Sequence, residues 1–123
     1  MGAGPPTTKF DLTLRGDLHA PRAARMALDD LVHDLDGRLL ADLRLIITEL
    51  VTTLLRSGTG APLCVRVEVI SPLSLRGEVE EEGQGTGVPA PAAGQAGPIL
   101  DGITSRWGVG PHPRRLWFEI DAD

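Results

Sequence analysis

The chain has 123 residues, 12 basic against 17 acidic, giving a formal net charge of −5 with neutral histidines. Domains cluster near about 100–150 residues, so this length suits one hydrophobic core and leaves little room for two. No apolar run approaches the ~18 residues of a membrane span, the first residues lack the basic and apolar regions of a secretory signal, and the lone Cys64 excludes an internal disulfide or a cysteine-rich zinc site.

The acidic balance also lacks the basic footprint of a nucleic-acid binder. Composition therefore predicts a cytoplasmic domain with neither nucleic acid nor a membrane as partner. Aromatic residues make up 3% and Tyr is missing, so the core must rest on Leu, Val, Ile and Ala.

Residues 1–8 are rich in Gly, Pro, Thr and Ala and are expected to form a disordered tail ahead of a single domain over 9–121. Residues 9–14 alternate apolar with polar, the period of a half-buried strand. A first helix is predicted from Pro21, with Ala24, Ala27, Leu28, Leu31 and Leu35 forming one apolar stripe and Gly37 breaking it. The second helix, over about 38–55, has a wide apolar face from Leu39 to Leu54. At ~100° per residue, Asp42, Glu49 and Thr53 fall along one border of that face.

A turn at 57–62 leads to a strand in which Leu63, Val65, Val67 and Val69 alternate with Cys64, Arg66 and Glu68. A short connection at Ser71-Pro72 favours an antiparallel hairpin, with Leu73, Leu75 and Val79 on one face and Ser74, Arg76, Glu78 and Glu80 on the other. Residues 81–98 are Gly-, Ala- and Pro-rich and read as a flexible loop, long enough to need a functional reason. A short helix over about 99–105 and a strand over 115–120 close the chain. The order predicts an α+β, two-layer fold, a mixed and mostly antiparallel sheet with helices on one face.

Three segments carry a resemblance. Thr48-Glu49-Leu50-Val51-Thr52-Thr53, Glu81-Glu82-Gly83-Gln84-Gly85, and the stretch from Gly94 to Gly108 ending Ser105-Arg106-Trp107-Gly108 occur in the order of the motifs of the histidine-kinase-like ATPase superfamily. They resemble its small anti-sigma-factor serine-kinase branch, and the closing strand fits the same pattern. The resemblance implies ATP and Mg²⁺ as cofactors and a homodimer as assembly. As partners it implies a sigma factor, an anti-sigma antagonist or another transcription regulator. It places Glu49 as the catalytic base for an attacking hydroxyl, and Glu49, Glu81, Gly83, Gly85 and Gly94 around the nucleotide. Glu81 stands where the branch has an aspartate that accepts from the adenine amino group.

Several positions depart from that pattern. Thr53 replaces the Mg²⁺-binding asparagine, Glu81 is one methylene longer than aspartate, and the second glycine of the Gly94 segment is Ala96. Residues 83–105 contain no Lys or Arg, and Glu78, Glu80, Glu81 and Glu82 would repel a triphosphate if unpaired. The sequence therefore predicts a degenerate site and a regulator acting mainly by protein contact, with weak or absent ATP binding. Two alternatives stay open. One is an active serine/threonine kinase using Glu49 as base and Thr53 on Mg²⁺. The other is a small-molecule binder that reuses the vacated cleft.

Overall fold

A computed structural model describes residues 7–58, 60–82, 96–110 and 114–122. The elements run β1 (Thr8–Leu14), α1 (Ala20–Ala27), a 3₁₀ turn (Leu28–Leu31), α2 (Gly37–Ser57), β2 (Leu63–Ser71), β3 (Ser74–Glu81), α3 (Ala96–Ile103), β4 (Arg106–Val109) and β5 (Arg115–Asp121). The sheet order is β1-β2-β3-β5-β4, and every neighbouring pair is antiparallel. This is the α+β class expected, with a sheet antiparallel throughout the described strands rather than mixed.

Period-2 alternation sorts the strands into two faces. Val65, Val67 and Val69 of β2, Leu75 and Val79 of β3, and Leu116, Phe118 and Ile120 of β5 are buried together with α1, α2 and Leu100 of α3 in one core. Along α2, Leu39, Leu40, Leu43, Ile46, Ile47, Leu50, Val51 and Leu54 are all buried. Each such side chain contributes roughly 1.5–3 kcal/mol of burial, so this helix is the main source of stability on its layer. Gly77 makes room for Phe118 directly opposite: a Cβ there would overlap the ring.

The other sheet face is charged. Arg66 reaches Asp11, Glu78 and Glu80 at 3.7, 3.6 and 3.8 Å. Arg106 and Arg76 both approach Glu119, at 2.8 and 3.7 Å, and Arg115 pairs with Glu78. Glu78 and Glu80 are therefore neutralised on the face turned away from the core. The expected repulsion of a phosphate by unpaired carboxylates does not hold for them.

Other boundaries move for identifiable reasons. The first helix stops at Ala27 and tightens into a 3₁₀ turn, although Leu31 and Leu35 still reach the core. Gly37 begins α2 rather than breaking a helix, because the Asp36 carboxylate accepts from the Arg38 backbone N–H at 3.1 Å and caps it. Thr8 belongs to β1, and its hydroxyl donates to Asp34 at 3.2 Å. Leu73 sits in the hairpin turn between Ser71 and Ser74, not in the strand. The last helix begins at Ala96, which places Pro98 in its first turn, where a missing N–H costs nothing.

Candidate functional site

The end of β3, the end of α2 and the residue before β5 meet in one cluster. Alternation along β3 continues past Leu75, Gly77 and Val79 to Glu81, so its carboxylate turns inward with the core side chains. Alternation back along β5 from Ile120, Phe118 and Leu116 reaches Arg114 on the same face. The β3–β5 register pairs Glu80 with Arg115, which sets Glu81 opposite Arg114 one step further on. The Glu81 N–H donates to the Arg114 carbonyl at 3.0 Å. In the side chains, Arg114 Nε donates to Glu81 Oε1 at 3.1 Å.

Both charged groups are almost sealed from solvent, Glu81 at 2% exposure and Arg114 at 1%. Burial of single ions is expensive, and such a pair persists only when its geometry and extra hydrogen bonds compensate. Here Arg114 Nη2 also donates to the Leu54 carbonyl at 3.0 Å. Leu54 lies in the last turn of α2, where carbonyls have no partner within the helix. A guanidinium at that end also meets the negative pole of the helix dipole. Gly58 follows α2 and makes room for the cluster: a Cβ there would overlap the Glu81 carboxylate and stand 2.6 Å from the Leu54 carbonyl oxygen.

This corrects two expectations. Glu81 is the last residue of β3 rather than the first of a loop, because its side chain completes the inward row of the strand. Its carboxylate is bound to Arg114 rather than presented to a ligand. Glu82, next along, accepts from the Cys64 thiol at 3.0 Å. Burial first, and then this hydrogen bond to Glu82, push the Cys64 thiol above its ordinary value.

The remaining candidates lie along α2 or outside the described residues. Asp42, Glu49 and Thr53 are half-buried along the border of α2, as the helical spacing predicts. Glu49 and Leu54 are five residues apart in sequence and about 140° apart around the helix axis. The Thr53 hydroxyl donates to the Glu49 carbonyl at 2.8 Å, an interaction within the helix. Gly83, Gly85 and Gly94 lie outside the described residues, as does most of the expected loop over 81–98.

Among the described residues, Glu81 does not fit the adenine-contacting role that the resemblance implies. Its carboxylate accepts from the internal Arg114 guanidinium and is almost closed to solvent. A concavity of about 720 Å³ lies on the open sheet face between Lys9, Arg66, Glu78, Arg115 and Trp117. It is on the opposite side of the sheet from Glu49, and Arg66, Glu78 and Arg115 on its wall are already engaged with one another.

The architecture defines a two-layer α+β domain with one long, central, core-facing helix. Among solved structures, the chain is similar to the crystal structure of the RsbU and RsbW domains of Rv1364c from Mycobacterium tuberculosis, with a TM-score of 0.68 and 18% sequence identity. The match covers 94% of this chain and 32% of that one, and the likeness is one of fold. No protein-family model matches the sequence, and no curated protein does. None of the helices among the described residues is long and apolar enough to cross a membrane.

Proposed function

We propose that this chain is a regulatory protein of the anti-sigma-factor kinase type that acts by binding a transcription regulator, with weak or absent ATP binding. The observation that carries this reading is the Glu81–Arg114 pair. The carboxylate at the position assigned to adenine is consumed in holding together α2, β3 and β5. A group whose partner is supplied internally contributes to folding and not to ligand affinity, since a ligand would have to displace a well-placed guanidinium from a dry site. The partners this reading calls for are a sigma factor, an anti-sigma antagonist or a related regulator, engaged in the cytoplasm.

Affinity capture from the native host, run in parallel with and without Mg-ATP, tests it. The same transcription regulator retained equally in both arms is the expected result. A partner held only in the presence of ATP would overturn it. The kinase alternative has its own readout in transfer of label from the γ-phosphate of ATP to that partner, abolished by Glu49→Ala.

A further inference from the structure

The concavity on the open sheet face, about 720 Å³, falls within the roughly 300–1,000 Å³ typical of small-molecule sites. The strand register shows what lines it. Trp117 of β5 lies opposite Glu78 of β3 on one side and Gly108 of β4 on the other. The half-buried indole covers that glycine, where a Cβ would stand 2.9 Å from the ring carbon Cζ2. Of the two Phe and two Trp in the chain, Phe10, Phe118 and Trp107 pack on the core. Trp117 is therefore the aromatic surface of the open face.

Two ion pairs stand beside the indole, and each leaves one carboxylate oxygen short of a hydrogen bond. Glu119 Oε2 accepts from Arg106 at 2.8 Å, but its Oε1 faces Arg76 Nη2 at 3.7 Å. Glu78 Oε2 accepts from Arg115, but its Oε1 faces Arg66 Nη1 at 3.6 Å. Both gaps exceed hydrogen-bond distance. Arg66 and Arg76 are exposed, and their side chains donate to no described residue. Lys9 and Glu68 are partners in the β1–β2 register, and among the described residues neither side chain has a hydrogen bond or an ion pair.

A group that joins a guanidinium to a carboxylate across such a gap must accept from one and donate to the other. A hydroxyl does both, whereas a phosphate or an ionised carboxylate only accepts. Charge decides in the same direction. Four cationic and four carboxylate side chains line the concavity, so an anion meets as much repulsion as attraction. A ligand hydroxyl exchanges with solvent there at little cost when it reproduces the same hydrogen bonds. The net gain then comes from an apolar ring face, whose C–H groups rest on the electron-rich face of the indole.

We propose that this concavity binds a neutral carbohydrate, with a pyranose ring stacked on Trp117 and hydroxyls bridging Arg76 to Glu119 and Arg66 to Glu78. The site uses no residue of the Glu81 cluster, so it stands or falls apart from the regulatory reading.

Titration of the isotope-labelled full chain with maltotriose and with cellotriose, followed in proton–nitrogen correlation spectra, tests it. Trp107 is the internal control, because its Nε1 donates to Asp101 at 2.7 Å and its ring packs on the core. The Trp117 indole resonance shifts saturably with at least one of the two sugars, and that of Trp107 stays in place. Arg76→Ala and Trp117→Leu each weaken binding roughly tenfold or more, read from the backbone amide of Glu119. An unchanged circular dichroism spectrum identifies both variants as folded. Inorganic phosphate leaves the Trp117 signal unmoved. No saturable shift with either sugar would overturn the proposal, as would a saturable shift with phosphate, or variants that hold the sugar as tightly as the wild type.

Discussion

Gly58 and Glu81 are fitted to each other: the glycine passes so close to the buried carboxylate that no side-chain carbon has room between them. Gly58 has an ordinary extended backbone, at φ −95. Its small size is needed for the approach and not for its conformation.

Replacing a glycine with alanine at a permissive backbone position usually stabilises by about 0.4–1 kcal/mol, through the unfolded chain. Here the sign reverses. Gly58→Ala pushes on a carboxylate held by Arg114 and on a backbone carbonyl, neither of which yields easily. Overpacking of this kind costs about 1–3 kcal/mol. Thermal unfolding checks it, with a fall in Tm on the order of 4 °C per kcal/mol for a domain of this size.

Arg114→Leu leaves Glu81 buried without its cation and the Leu54 carbonyl without its donor. Breaking a buried pair from one side costs about 3–5 kcal/mol. Combining it with Glu81→Leu removes the orphaned charge and recovers most of that loss, though not the share that belongs to the helix carbonyl. Urea denaturation of the two single variants and the double variant measures the coupling. Additive losses would contradict the assignment of the two residues as one unit.

That ion pair also marks the limit of what the sequence discloses. The rows Leu75, Gly77, Val79 and Leu116, Phe118, Ile120 are plain alternations, and both extend by parity to Glu81 and Arg114. Local pattern reading ends each row at its last apolar residue, because a charge on a core face is energetically sensible only when its counter-ion is known. The two residues are 33 positions apart in sequence. Only the strand register brings them together. β4 was hidden for another reason: its four residues are too few to establish a period, and one of them is Gly108, packed under the Trp117 ring. In contrast α2, β1 and the β2–β3 hairpin were legible, since each buries one face at a regular period. The half-buried border of Asp42, Glu49 and Thr53 followed from helical spacing alone.

Acid should weaken the fold partly through Glu119. The hydrogen bond from Arg106 holds its carboxyl below the ordinary glutamate range. A carboxylate depressed in the folded state binds fewer protons there than in the unfolded chain. Its contribution is therefore complete above the unfolded value and is lost as pH falls through the folded one. Glu119→Gln lowers stability slightly at neutral pH, as an exposed pair warrants. The wild-type and variant curves converge in acid. Unfolding midpoints across a pH series test this, and a gap that widens as pH falls would contradict it.

The central claim is that Glu81 is committed to Arg114 and not to a nucleotide. Isothermal titration of the wild-type chain with Mg-ATP addresses it most directly. The account predicts no saturable heat in the micromolar range. A saturable micromolar isotherm that disappears in Glu81→Ala would contradict it.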